Sequence, residues 1–107
     1  MTYLYIDDER SPKTDKDWVV VRSFDEAKKY FSENPCPSYI SFDHDLGIGL
    51  DGYDIAKMLV NKDLDEGKNY IPSDFKYNVH SANPVGEANI RLYLLTYLNL
   101  KEQEGKK

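Results

Sequence analysis

Apolar residues in this chain fall into short runs separated by charged connections, with two kinds of period. Thr2-Tyr3-Leu4-Tyr5-Ile6 is nearly continuously apolar, the pattern of a central strand covered on both faces. Asp7 to Asp17 follows, charge-mixed and interrupted by Ser11-Pro12. It lacks an apolar period, so it predicts a connection and not a full helix. Trp18-Val19-Val20-Val21-Arg22 is a second strand, rich in β-branched residues. Ser23-Phe24-Asp25-Glu26 has the spacing of a capping box. Ala27, Tyr30 and Phe31 then share one helical face, and Asn34-Pro35 stops the helix.

A third strand, beginning at Tyr39, runs into Asp43-His44-Asp45-Leu46-Gly47, where the glycine allows a sharp exit. Asp51 caps a helix reaching about Asp65, with Ile55, Ala56, Leu59 and Val60 as its buried stripe and Gly67 as its terminator. Phe75 to His80 alternates strictly, which suits an edge strand with one wetter face. Asn83-Pro84 places a cap before a first-turn proline and opens a helix to about Leu100. Residues 101–107 read as a frayed, solvated tail, leaving one domain over 1–100.

The order β-β-α-β-α-β-α predicts an α/β fold with a four-stranded parallel sheet. Right-handed crossovers put the helices after strands two and three on one face. The other face needs a cover. Either the helix from Pro84 folds back over it, or a partner chain covers it, a homodimer through the helix 84–100 being one such arrangement.

Composition narrows the function classes. The 107 residues are 40% hydrophobic and 13% aromatic, with nine tyrosines, which suits one folded domain. No apolar run approaches a membrane span, and Met1 leads directly into a strand instead of a signal core. The expected location is cytoplasmic, with no membrane partner. The single cysteine, Cys36, has no partner for an internal disulfide or a thiolate site and reads as packing or loop. A net charge of −5 argues against a broad nucleic-acid surface. It leaves room for a small anionic ligand, because acids that recruit a divalent cation invert the local field.

The acids are concentrated where such a cation would sit. In open α/β sheets ligands bind beyond the carboxyl ends of the strands, and Asp7-Asp8, Asp43 and Asp45 all fall there. Adjacent carboxylates repel unless a cation or base is near. Oxygen donors of this kind suit Mg²⁺, while an imidazole would shift the preference toward Mn²⁺, Zn²⁺ or Fe. His44 and His80, the two histidines, both fall at strand ends, and His80 there suits a ligand or a general acid or base. Ser81 and Asn83 precede the last helix, whose N-terminus is a natural phosphate site. Arg10 and Lys13 add positive charge to the same rim. Each has a plainer role as well: Asp7 and Asp8 as turn acids, Ser81 and Asn83 as caps, Arg10 and Lys13 as a solvated basic pair. Gly47-Ile48-Gly49-Leu50 is too short and apolar for a phosphate-binding P-loop and suits an apolar lip instead.

These motifs resemble a known family. Ile6-Asp7-Asp8-Glu9, Asp43, Asp51-Gly52 and Ser81-Ala82 are similar to the receiver domains of response regulators. Asp43-His44-Asp45-Leu46-Gly47 and His80-Ser81-Ala82-Asn83-Pro84-Val85-Gly86 resemble most closely the divergent cyclic-phosphate processing receiver-like domains. The resemblance implies a receiver-like (flavodoxin-like) open sandwich with its first helix reduced and its fifth strand missing. It implies a divalent ion, Mg²⁺ or Mn²⁺, held by Asp7, Asp8 and Asp43, with Asp45 as a further contact and His44 as an additional candidate. It implies Asp43 and His80 as the chemically active pair, and Ser81, Asn83 and Arg10 as phosphate contacts. The implied ligand is a small phosphorylated molecule or nucleotide. The expected function is a metal-dependent phosphoesterase acting on a small cyclic phosphate, such as a cyclic nucleotide or a 2′,3′-cyclic phosphate end. The alternatives are a non-catalytic module that binds metal or a phosphorylated ligand, and a phosphoacceptor signalling domain. The missing lysine of the fifth strand weighs against the last.

Overall fold

Four short strands, β1 (Tyr3–Ile6), β2 (Trp18–Val21), β3 (Tyr39–Phe42) and β4 (Lys76–Val79), pair in parallel in the order β2-β1-β3-β4. Three helices, α1 (Phe24–Glu33), α2 (Gly52–Asp65) and α3 (Pro84–Gly105), follow β2, β3 and β4. The computed structural model describes residues 2–12, 17–46 and 50–105. Lys13, Gly47, Ile48 and Gly49, and the parts of the first connection and apolar lip that they form, lie outside the described residues. Strands β1 and β3 are central and β4 is an edge, as their apolar patterns predict. Successive connections leave β1 in opposite directions, so a switch point lies between β1 and β3, where α/β sheets bind ligands.

Local signals set the helix boundaries. Ser23 caps α1 by accepting from the Glu26 N–H at 3.2 Å. Glu26 departs from the expected box: its carboxylate accepts from the N–H of Arg22, one residue before the cap, at 3.1 Å. Asp51 and Asp54 form a full capping box on α2, with reciprocal bonds of 3.1 and 2.9 Å. Such caps stabilise a helix by about 1 kcal/mol each. After α2, Gly67 and Lys68 both take left-handed conformations, φ 69° and 65°, and turn the chain back toward β4.

The core lies on one side of the sheet only. Leu4, Ile6, Val21, Ile40, Phe42 and Val79 meet Ala27 and Phe31 of α1, Ile55, Ala56, Leu59 and Val60 of α2, and Ile90 and Leu94 of α3 in one buried cluster. Helix α3 does not fold back over the opposite face. It packs beside α2 and along β4, where its Ile90 and Leu94 join the same apolar layer. The expectation that β1 is covered by other layers on both faces is corrected accordingly. Its second face carries Tyr3 and Tyr5, half-buried among Trp18 and Tyr39.

Helix α3 continues past Leu100 to Gly105, where a frayed tail was expected. The reason is Lys101, whose ammonium lies 3.0 Å from Asp63 Oδ2 and donates to the Ile71 carbonyl at 2.7 Å. Asp63 is fully buried and also accepts from the Tyr70 and Ile71 N–H groups and the Tyr97 hydroxyl, at 2.9, 2.7 and 2.6 Å. This network ties α2, the loop before β4 and the end of α3 together. Cys36 is half-buried against the core, and burial pushes its thiol up to about 12, consistent with packing. On α3, Leu92, Leu95 and Leu100 remain exposed. Among the described residues no helix is long and apolar enough to cross a membrane.

Candidate metal centre

The sheet ladder runs one residue past the strands and delivers three side chains to one place. The N–H of Asp7 donates to Val21 O, that of Asp43 to Ile6 O and that of His80 to Phe42 O, at 3.1, 2.9 and 2.8 Å. Each is thus the first residue beyond its strand, still registered on the neighbouring strand. A ligand atom from each of Asp7, Asp43 and His80 lies within 4.8 Å of the others.

Asp7 and Asp43 are nearly inaccessible to solvent. Buried carboxylates need partners, and Asp7 has several. Its Oδ1 accepts from the N–H groups of Glu9 and Arg10 at 2.9 and 2.8 Å, and its Oδ2 from Arg10 Nε at 3.1 Å. His80 Nε2 lies 3.1 Å from the same Oδ2. Burial pushes the Asp7 carboxyl upward, but the Arg10 and Glu9 N–H groups, the Arg10 charge and the His80 hydrogen bond outweigh it, and its pKa lies below the ordinary value. Asp43 goes the other way. Burial, then the negative charge of Asp7, raises its pKa, with His80 and Arg10 only partly compensating. That unrelieved repulsion is what a bound cation would remove.

His80 is held at both nitrogens. Nδ1 lies 2.6 Å from Ser41 Oγ, Nε2 faces Asp7, and the ring stacks on Tyr5 with centroids 4.4 Å apart and planes 7° from parallel. Burial lowers its pKa despite the nearby acids, which favours neutral imidazole. As the ring stands, Nε2–H donates to Asp7 Oδ2 and Nδ1 accepts from the Ser41 hydroxyl; an ion at Nε2 would select the other tautomer, with Nδ1–H donated to Ser41. Two carboxylates and one neutral imidazole are a donor set that fits a divalent ion such as Mn²⁺.

Arg10 spans the cluster from its open side, with Nη2 3.8 Å from Asp43 Oδ2 and 3.4 Å from the His80 carbonyl oxygen. Its own support comes from Arg22 at the end of β2, which donates to the carbonyl oxygens of Asp7 and Arg10 and to Ser11 Oγ. Arg22 thereby pins the turn that carries Asp7.

The other sequence candidates are placed elsewhere. Among the described residues, Asp8 and Asp45 contribute no ligand atom to the group around Asp7, Asp43 and His80. Asp8 lies in the bend after β1, in the turn closed by the bonds of the Glu9 and Arg10 N–H groups to Asp7 Oδ1. Asp45 lies in the bend after β3. Its N–H donates to Asp43, while its own carboxylate lies 2.9 Å from His44 Nδ1. His44 is turned away from the cluster. Its Nε2 lies 3.3 Å from Asp51 Oδ2, so the imidazole bridges two acids at the entrance to α2. Ser81 Oγ accepts from the Asn83 N–H, and Asn83 Oδ1 accepts from the Gly86 N–H, both at 3.0 Å. Both therefore act as caps of α3.

Two glycines make this geometry possible. A Cβ on Gly52 would stand 1.9 Å from the Asp43 carbonyl oxygen, and one on Gly86 would stand 2.3 Å from the His44 ring. Neither role, nor those of Ser41, Arg22 and Tyr5, was assigned from the sequence. The available signal for Ser41 was a hydroxyl in an otherwise apolar central strand, on the same side as Tyr39 and, through the β3–β4 register, Asn78.

Comparison with known proteins agrees with the motifs. No curated protein and no solved structure matches the chain significantly. One family model does, described as "Cyclic-phosphate processing Receiver domain", and it matches residues 2–96. With its signature residues at the ends of β1, β3 and β4, the chain belongs to the cyclic-phosphate processing receiver domain family.

Proposed function

We propose that the chain is a metal-dependent phosphoesterase that opens a small cyclic phosphate, such as a cyclic nucleotide or a 2′,3′-cyclic phosphate end. The observation carrying this reading is the convergence of Asp7, Asp43 and His80 within 4.8 Å at the switch point of a sheet whose family description names cyclic-phosphate processing. Asp7, Asp43 and His80 Nε2 would hold Mg²⁺ or Mn²⁺. Such an ion supplies Lewis acidity toward a phosphoryl oxygen and lowers the pKa of bound water. The remaining chemistry belongs to the chain. Arg10, on the open side of the cluster, would pair with the phosphate. The N-terminus of α3, with Ser81 and Asn83 as its caps, would take the same anion. Tyr5 and Ser41 fix the His80 ring.

The test is turnover of a panel of cyclic mononucleotides and 2′,3′-cyclic nucleotides with Mg²⁺ or Mn²⁺, comparing wild type with Asp43→Asn and His80→Ala. Hydrolysis that both substitutions reduce by about a hundredfold or more supports the enzyme. No turnover with any metal, together with stable labelling of Asp43 by a small phosphodonor, would instead establish the phosphoacceptor.

A second reading, a non-catalytic binding module, is favoured by one observation: Arg10 already pairs with both carboxylates. It requires phosphate or metal binding without turnover. Calorimetry on the same variants separates it from the first.

A further inference from the structure

We propose that the face of the sheet opposite α1, α2 and α3, which carries no helix among the described residues, is a nucleobase subsite, so that the ligand whose phosphate meets Asp7 and Asp43 is a nucleoside phosphate. This rests on the phosphate reading above for its second half, but the base site stands on its own observations. A cleft of about 370 Å³ lies on that face, within the usual range of about 300–1,000 Å³ for small-ligand pockets. Its walls are aromatic, from Tyr5, Trp18 and Tyr39, and its polar groups are Ser41 and Asn78. Arg10 and His80 close one end, and both also border the acid cluster. Cleft and cluster are therefore one continuous surface.

The rings are organised before any ligand arrives. Trp18 meets Tyr3, Tyr5 and Tyr39 edge-on, with centroids 5.5, 5.5 and 5.8 Å apart, and Tyr5 continues in a parallel stack onto His80. Aromatic rings fixed on strands lose little freedom on binding, and flat π-faces on a sheet are a recurrent platform for bases. Asn78 adds selectivity. Arg91 donates to its Oδ1 at 3.1 Å, which leaves the amide NH₂ to donate to a base carbonyl or ring nitrogen.

The lining also argues against other occupants. An acyl chain would need an aliphatic cleft, whereas tyrosine, tryptophan and polar side chains predominate here. A long nucleic acid would need neutralisation of many phosphates, which a chain of net charge −5 does not provide. One nucleoside, with its phosphate toward Arg10, matches both the lining and the charge.

Trp18 is the single tryptophan and reports on the cleft directly. The full chain is titrated, with Mn²⁺ present, with adenosine, guanosine, cytidine and uridine, their 5′-monophosphates, ribose 5-phosphate and inorganic phosphate. Tryptophan fluorescence and calorimetry are read together. At least one nucleoside is expected to quench Trp18 saturably. Tyr39→Leu should weaken that nucleoside about tenfold and leave inorganic phosphate unchanged. Asn78→Asp, which keeps an acceptor for Arg91 and removes the donor, should alter the preference among the four bases, and it decides the matter if Tyr39→Leu fails to fold. Absence of quenching by every nucleoside and nucleotide overturns the base subsite. So do ribose 5-phosphate and the monophosphates binding alike, or unchanged base binding in both variants. Nucleoside binding without any binding of ribose 5-phosphate or inorganic phosphate leaves the base subsite standing and overturns the phosphate reading instead.

Discussion

The imidazole of His44 occupies the space that Gly86 leaves open. A Cβ at Gly86 would stand 2.3 Å from the ring's Cγ, and the ring cannot easily retreat because Asp45 and Asp51 hold its two nitrogens. Gly86→Ala is therefore expected to destabilise the fold by about 1–3 kcal/mol through overpacking. In a His44→Ala background the same change should cost much less. Urea midpoints of the four proteins in this double-mutant cycle measure the coupling, and additive effects would show that the two residues do not interact.

Ser41 is expected to position His80 without itself being a metal ligand. Ser41→Ala removes the partner of Nδ1 and frees the tautomer, so affinity for Mn²⁺ should fall about tenfold or more, the usual range for an outer-shell change. Nitrogen NMR of the His80 ring supplies a readout that a merely structural loss would not move. Unchanged nitrogen shifts in Ser41→Ala would exclude the positioning role.

Asp63 is expected to govern part of the acid sensitivity. Burial works against its charge, but Tyr97, the Ile71 N–H and Lys101 more than offset it, and its pKa lies below the ordinary value. A carboxyl depressed in the folded state stabilises above its unfolded pKa, about 4, and loses that contribution as pH falls through the folded value. Asp63→Asn should be clearly less stable than wild type at neutral pH, by about 3 kcal/mol as for a broken buried pair. The gap should shrink progressively below about pH 4. Urea unfolding across that range checks it, and a gap independent of pH would mean that the charge of Asp63 is irrelevant.

Much of this architecture was legible because it depends on local signals. Ser23, Asp51 and Asn83 announce helix starts through capping chemistry that acts over three residues. Asp7, Asp43 and His80 could be placed because each ends a strand-like run, continuous for the first two and alternating for the third, and a strand end has a defined position in a parallel sheet. What escaped depends on distance in the chain. Lys101 looks like the start of a solvated tail until Asp63 is seen 38 residues away. His44 was indistinguishable from a site residue until Gly86 and Asp51 gave it another setting. The layer that α3 joins was undetermined because an apolar stripe on a helix does not say which face of the sheet it will meet. Tyr3 and Tyr5 looked like core, although they form an aromatic surface of their own.

The four strands sort their residues by parity. Leu4, Ile6, Ile40, Phe42, Tyr77 and Val79 face the helices, and the alternate positions carry Tyr5, Ser41, Asn78 and, one step on, His80. Core and chemistry are therefore two readings of one register. Inserting a single residue within β4 would exchange Val79 and His80, burying an imidazole and exposing a core methyl group in the same event. Changes of length are tolerable only in the connections, so this surface can diversify by substitution within its strands but not by slippage along them.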